Sequence, residues 1–290
     1  MANQPSDNPP FYPDQYRRFA SPLGAEIRRL VYGEDLGQQG WRALDEQEEI
    51  FRIVSSGAHC AALDVACGSG GPSLALVQRG GCRVTGVDAE EAAVCWARRE
   101  AERLGLVRLA RFETHDCDLP LPFDDETFDV VICIDAVLHL ADRAAALADW
   151  ARVLRKGGQL VFTDAAVLTG PVSKGDIDIR ASQGPLTLVP PGTNERLVEA
   201  AGLVLVKRED KTDGAANLAR RWLEVRASFA EQLVKEEGDE FFERRQRFLS
   251  TTANLAATRR LSRFLYRAEK LAAKPSCPSD CLHRPVPAPT

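Results

Sequence analysis

Leu63-Asp64-Val65-Ala66-Cys67-Gly68-Ser69-Gly70-Gly71 is the stretch on which the reading of the fold turns. It begins as an apolar strand, passes through a turn with three glycines in four positions, and runs into a helical pattern. Glycines let the backbone turn sharply and leave room for close approach, and the helix that follows presents free N–H groups at its start. Strand, glycine turn and helix together open a βαβ unit.

The same alternation continues outward from this stretch. Residues 60–65 read as the first strand, with a helix through Arg79 after the turn. Residues 82–88, 110–116, 128–134 and 159–163 read as further strands, separated by helices at 91–104 and 142–154. The segment 128–134, Phe-Asp-Val-Val-Ile-Cys-Ile, is almost uniformly apolar, which suits a strand buried on both faces. Strands alternating with helices of 10 to 15 residues predict an α/β fold with a doubly wound, mostly parallel sheet and helices on both faces. Ahead of this core, residues 15–53 carry a helical pattern broken at 33–40. Beyond it, Gly170-Pro171, Gly184-Pro185 and Pro190-Pro191 mark 165–192 as a long irregular loop. A helix at 194–201 ending at Gly202, a strand at 203–207, amphipathic helices at about 215–236 and 239–260, and a short strand at 264–266 complete the pattern. The first 13 residues and the tail from 274 have the composition of mobile ends.

Bulk properties narrow the class of function. The 290 residues are 44% hydrophobic and 27% charged, as in ordinary globular proteins. A net charge of −5 gives no footprint for nucleic acid. The arginine pairs at 28–29, 98–99, 220–221, 244–245 and 259–260 each lie beside acidic residues in helical segments and read as solvated faces. No apolar run approaches the ~20 residues of a membrane span, and the start shows no signal peptide. Cys60, Cys67, Cys82, Cys95, Cys117 and Cys133 are scattered through core elements, which suggests reduced thiols and a cytoplasmic setting. Cys277 and Cys281 with His283 do not make a closed metal site, so no metal is expected.

Three carboxylates fall at successive strand ends. Asp64 lies four residues before Gly68, where it can face an ammonium rather than a pyrophosphate. Ser73 stands where a dinucleotide fingerprint has its third glycine. Asp88 closes the second strand, 18 residues after Gly70, and can accept both hydroxyls of a ribose. Asp116 closes the third and can accept from an adenine amino group.

With Val87-Asp88, His115-Asp116, Phe128-Asp129-Val130-Val131 and Leu154-Arg155-Lys156-Gly157-Gly158-Gln159-Leu160, the opening stretch resembles the ordered motifs of class I S-adenosylmethionine-dependent methyltransferases. The resemblance covers roughly 55–165. It implies S-adenosylmethionine as cofactor and S-adenosylhomocysteine as product, in a seven-stranded sheet whose last strand, with Phe264–Tyr266 as candidate, is antiparallel. It further implies that Asp64 and Gly68, Ser69 and Gly70 contact the methionine part, Asp88 the ribose, and Asp116 with Cys117 the adenine. Ala66, Ala89 and Ile134 join this set as neighbours of those positions. The chain then divides into an N-terminal helical cover (1–54), a cofactor-binding core (55–166), a substrate-side region with the last strands (167–273) and a disordered tail (274–290).

Two stretches bear on the acceptor. Asp135-Ala136-Val137-Leu138-His139 is similar to the Asp-Ala-Ile-Leu-His stretch of phosphoethanolamine N-methyltransferases. Tyr32-Gly33-Glu34-Asp35-Leu36 resembles the Gly-Glu-Asp segment of those enzymes and of the glycine, sarcosine and dimethylglycine N-methyltransferases, where it belongs to a cover over the cofactor. Gln15-Tyr16 is similar to a Gln-Tyr pair over their active site. On this resemblance Asp135 holds a substrate ammonium, and His139, alone or paired with Tyr16, removes a proton; the bland reading of His139 is strand-to-helix packing. Trp41 and Tyr32 either shield the sulfonium or anchor the cover. Arg180 in the long loop can bind a substrate carboxylate or phosphate. The expected function is methyl transfer to a small molecule, with nitrogen favoured. An O- or C-methyltransferase of a natural product, or a non-catalytic cofactor-binding relative, is the alternative.

Overall fold

The computed structural model describes residues 12, 15, 16, 18–54, 60–80 and 82–272. The expected mobile start, apart from Tyr12, and the expected tail with Cys277, Cys281 and His283 lie outside the described residues.

The sheet has seven strands: β1 (Ala61–Val65), β2 (Arg83–Asp88), β3 (Ala110–Thr114), β4 (Phe128–Cys133), β5 (Leu154–Leu168), β6 (Val204–Asp210) and β7 (Leu261–Glu269). They lie in the order β3-β2-β1-β4-β5-β7-β6. The first five are parallel, and β7 runs antiparallel to both β5 and β6. The doubly wound fold and the antiparallel last strand are both present, as the sequence led one to expect. Strand order reverses between β1 and β4, so the carboxyl ends of those two strands flank the crevice where such sheets bind ligands.

Period-2 alternation explains why β4 reads as uniformly apolar. Leu63, Val131, Cys133, Leu160 and Phe162 pack on one face around Trp150 and Leu147 of helix Arg143–Val153. Ala62, Val130, Ile132 and Val161 point to the other, against Leu74 and Val77 of helix Gly71–Gly80 and Val94 and Ala97 of helix Glu91–Arg103. Both faces are covered, so neither admits polar side chains.

A third core lies outside the sheet. Ile27 and Val31 of helix Pro22–Tyr32 pack with Ala219 and Trp222 of helix Thr212–Ser228 and Leu249 of helix Asp239–Ala257. This cluster joins the N-terminal cover to the C-terminal helices.

Three expectations need correction. The segment 165–192 is not one irregular loop: β5 runs on to Leu168, and helix Lys174–Arg180 follows. Ser173 caps that helix by accepting from the Asp176 amide at 3.1 Å while its hydroxyl donates to the Asp176 carboxylate at 2.8 Å, a start signal hidden among the glycines and prolines. The helix expected at 215–236 breaks at Phe229 into Thr212–Ser228 and Ala230–Glu237. Finally, not every arginine pair is solvated. Arg28 and Arg245 are buried, Arg28 against Asp35 and the Phe19 ring, Arg245 beside the rings of Trp222 and Phe248.

Candidate active site

The turn after β1 bends through three residues with left-handed backbone, Ala66 (φ 58°), Gly68 (φ 56°) and Gly70 (φ 69°). Such a conformation is uncommon outside glycine and concentrates at ligand turns. Gly68 donates its amide to Asp88 Oδ2 at 2.7 Å, and the Glu90 amide donates to Asp88 Oδ1 at 2.8 Å. Each carboxylate oxygen keeps a second lone pair for a ligand hydroxyl. Burial pushes the Asp88 carboxyl up despite those two amides. Ala89 is exposed just beyond it, and Ile134 is half-buried after β4.

The glycines of the turn answer to different neighbours. A Cβ on Gly68 would meet the Tyr16 hydroxyl, which lies directly over the turn. A Cβ on Gly70 would strike the Phe112 ring and Ala97, and one on Gly71 would strike the Leu36 carbonyl. Gly70 and Gly71 therefore serve packing, the latter against the cover segment that contains Glu34 and Asp35. Ser69 fastens the same contact by donating to the Gly37 carbonyl at 2.8 Å.

Asp64 is buried beneath this turn. Among the described residues its carboxylate is hydrogen-bonded by Ser73, whose hydroxyl donates to it. Burial lifts its carboxyl to about 6, with Ser73 and the nearby Arg42 guanidinium pulling the other way. A buried carboxylate so little compensated suits a cationic ligand group. Together with the Gly68 amide and Asp88, it makes the turn a fitting cradle for a nucleoside that bears an ammonium. Asp116 is exposed and accepts from the Asp118 amide at 3.0 Å, while the half-buried Cys117 thiol lies against the Ala66 backbone.

Asp135 departs from its expected role. Its side chain is 4% exposed, and both oxygens are engaged. Arg263 donates at 2.7 Å, Thr163 at 3.0 Å and the Trp41 amide at 2.6 Å. Burial alone would raise its carboxyl, but Arg263 overcomes that and holds it below the usual range. Arg263 also forks onto Glu46 at 2.8 Å to each oxygen, so one guanidinium ties β7, β4 and helix Leu44–Val54 together. Asp135 has no lone pair to spare for a substrate ammonium; it anchors the cover. Tyr32 and Trp41 belong to the same anchoring. The Tyr32 hydroxyl donates to the Gly40 carbonyl at 2.7 Å and accepts from Trp222, and the Trp41 ring stacks on Phe248.

His139 sits in a short 3₁₀ turn after β4. Its Nδ1 is 2.6 Å from the Pro185 carbonyl, which can only accept, so Nδ1 carries the proton and Nε2 is the acceptor. The partner at Nε2 is the Tyr12 hydroxyl at 2.9 Å. The expected pairing with Tyr16 is therefore replaced by Tyr12, while Tyr16 lies against Phe19 and over Gly68. Burial lowers the His139 imidazole, favouring its neutral form, and pushes the Tyr12 phenol up to about 12. Arg180 is buried, lies over the Phe248 ring, and donates to Thr252 at 3.3 Å. No carboxylate among the described residues pairs with it. Burial brings its guanidinium down to about 10, partly offset by the Asp135 carboxylate.

Residues 63–162 match the family model described as a methyltransferase domain. This stretch is a methyltransferase domain of the S-adenosylmethionine-dependent class. Methyltransferase GfsG of Streptomyces halstedii is 30% identical over 172 residues, 57% of this chain and 60% of that one. The sarcosine/dimethylglycine N-methyltransferase of Halorhodospira halochloris is 29% identical over 149 residues, 49% of this chain and 50% of that one. Other matching relatives are named as an O-methyltransferase and a sterol 24-C-methyltransferase. The chain spans about half the length of the curated relatives it matches. Among solved structures, a putative sarcosine dimethylglycine methyltransferase from Galdieria sulphuraria covers 91% of this chain and all of its own with a TM-score of 0.74. At 18% identity that likeness speaks for the fold. Within the methyltransferase domain, Asp64, Gly68 and Asp88 converge on one turn, and His139 and Asp135 lie just past the next strand of the crevice. Sequence reasoning missed Tyr12, in a segment read as mobile, and Arg263. A lone charge inside the apolar run Leu261–Tyr266 was the signal available for Arg263.

Proposed function

We propose that the chain is an enzyme that transfers the methyl group of S-adenosylmethionine to a nitrogen of a small, negatively charged acceptor. The observation that supports this most is the grouping of His139, Tyr12 and Arg180: a neutral imidazole hydrogen-bonded to a phenol beside a buried guanidinium with no carboxylate partner among the described residues. Arg180 would hold the acceptor's carboxylate or phosphate as a charge-assisted pair. The Tyr12 oxygen would take the proton that an ammonium acceptor must lose, passing its own to His139 Nε2. Asp64, Gly68 and Asp88 would hold the cofactor, which supplies a methyl group on a sulfonium. The protein's remaining tasks are alignment of the nucleophile and exclusion of water, which the cover over the turn serves. The cytoplasm is the setting in which we expect it to act; no described helix is long and apolar enough to cross a membrane.

The test offers the protein isotope-labelled cofactor with a panel of glycine-type amines, ethanolamine phosphates and phenols, and follows the label by mass spectrometry. Label on nitrogen is the expected result. Transfer only to oxygen or carbon acceptors overturns the nitrogen reading, and tight cofactor binding without transfer favours a non-catalytic relative. In a Tyr12→Phe variant turnover should fall about a hundredfold, the usual scale of general-base catalysis, with S-adenosylhomocysteine affinity unchanged.

A further inference from the structure

A cavity of about 90 Å³ lies between the N-terminal segment and the helices around Trp222, Leu233 and Phe241. Rings of Phe19, Trp222 and Phe241 form much of its wall. Two hydrogen-bond donors in its lining, Gln15 Nε2 and Arg226 Nε, are buried and meet no acceptor among the described residues. Arg226 itself is only 6% exposed, and its Nη2 is taken by Glu237. Buried donors are almost always satisfied in folded proteins, and leaving one unmade is costly. Two of them in the lining of one cavity suit an oxygen from a ligand. Arg28 in the lining is already taken by Asp35 and Arg226 Nη2 by Glu237, so it is the two orphaned N–H groups that ask for an oxygen-bearing anion.

The cavity also adjoins the site already described. Arg245 is part of its wall, donates to Gln183, and lies over the same Phe248 ring that carries Arg180. Gln15 precedes Tyr16, whose hydroxyl lies over Gly68. Arg245 and Arg180 thus share one ring, with Arg245 on the cavity side of it.

We propose that this cavity is the far end of the acceptor pocket, and that the methylated molecule is elongated, with its nucleophile at Tyr12 and His139, an apolar middle along the Phe248 and Trp222 rings, and its carboxylate received by Gln15 Nε2 and Arg226 Nε, whereas Arg180 takes the carboxylate of short acceptors such as glycine. The inference rests on the acceptor reading above. It narrows the substrate class from a compact amine to a long, apolar amino acid or its like.

Calorimetry on protein saturated with S-adenosylhomocysteine tests it, using ω-aminocarboxylates from glycine to 8-aminooctanoate and n-octylamine as the chain without a carboxylate. Affinity should rise at least tenfold from glycine to 8-aminooctanoate, and n-octylamine should not share the gain. Gly24 lines the cavity, and a Cβ there makes only ordinary contacts, at 3.5 Å from Arg28 and 3.7 Å from Ser21. Gly24→Leu should remove the gain and leave the affinities for glycine and S-adenosylhomocysteine unchanged; Gly24→Ala, a smaller intrusion, should remove part of it. Affinity independent of chain length, equal binding of n-octylamine, or a gain that survives in Gly24→Leu overturns the proposal. Failure of S-adenosylhomocysteine to bind at all would instead overturn the cofactor reading beneath it.

Discussion

Asp64 lies near the end of β1 and Asp135 just past the neighbouring β4; burial pushes both carboxyls up, yet the net outcomes are opposite. Asp64 has a serine and a more distant guanidinium, and its carboxyl rises to about 6. Asp135 has Arg263 in direct contact, and its carboxyl falls below the ordinary range. A contact guanidinium outweighs desolvation, whereas a remote one does not. For Asp64 the sign follows directly. A folded-state value above the unfolded one favours the protonated form, so its contribution to stability without cofactor is lost as pH rises through about 6. A cofactor ammonium beside it reverses that preference, so S-adenosylmethionine should bind more tightly as pH rises from 5 to 7, with proton release visible in buffers of different ionisation heat. Affinity flat across that range would place the cation elsewhere. Asp88→Ala should weaken S-adenosylhomocysteine by more than ~1 kcal/mol in the same calorimeter, and unchanged affinity would mean that the nucleoside lies away from β2.

At the scale of elements, the cover is held by three fastenings: Leu36 and Gly37 on the glycine turn, the Trp41 amide on Asp135, and Glu46 on Arg263. Asp135→Asn should therefore act on stability rather than on substrate binding. Removing one partner of a buried pair typically costs about 3–5 kcal/mol, because the remaining charge is stranded. Thermal unfolding should show a clearly lowered Tm with little change in acceptor KM; an unchanged Tm with a raised KM would restore the ammonium-binding role. Local signals tell such roles apart poorly. An aspartate at a strand end reads the same whether it meets a ligand or an arginine 128 residues later in the chain. Helix Lys174–Arg180 was hidden for a related reason, since its Ser173 cap sits in a segment whose glycines and prolines outweigh it in any composition-based reading.

At the scale of the whole molecule, the crevice is closed by parts remote in sequence, the cover before β1 and the helices between β6 and β7. A ligand that binds only this closed arrangement stabilises it by mass action, by about 2.7 kcal/mol at a hundredfold excess over Kd. For a chain of this size, S-adenosylhomocysteine at that excess should raise Tm by roughly 5–10 °C. A shift near zero, with binding confirmed by calorimetry, would mean that the cover and the C-terminal helices unfold independently of the crevice.

Length, alternation and the glycine turn determined the doubly wound sheet, because period-2 and period-3.6 patterns and turn chemistry are local and survive translation into one dimension. They also marked Asp64, Gly68 and Asp88, whose spacing follows from strand length. Tertiary structure alone decided what each marked group meets. It gave Asp135 to Arg263, His139 to Tyr12 rather than Tyr16, and Gly70 and Gly71 to packing. These pairings join segments up to 128 residues apart, and charge balance in a buried site depends on which side chains converge there rather than on their order in the chain.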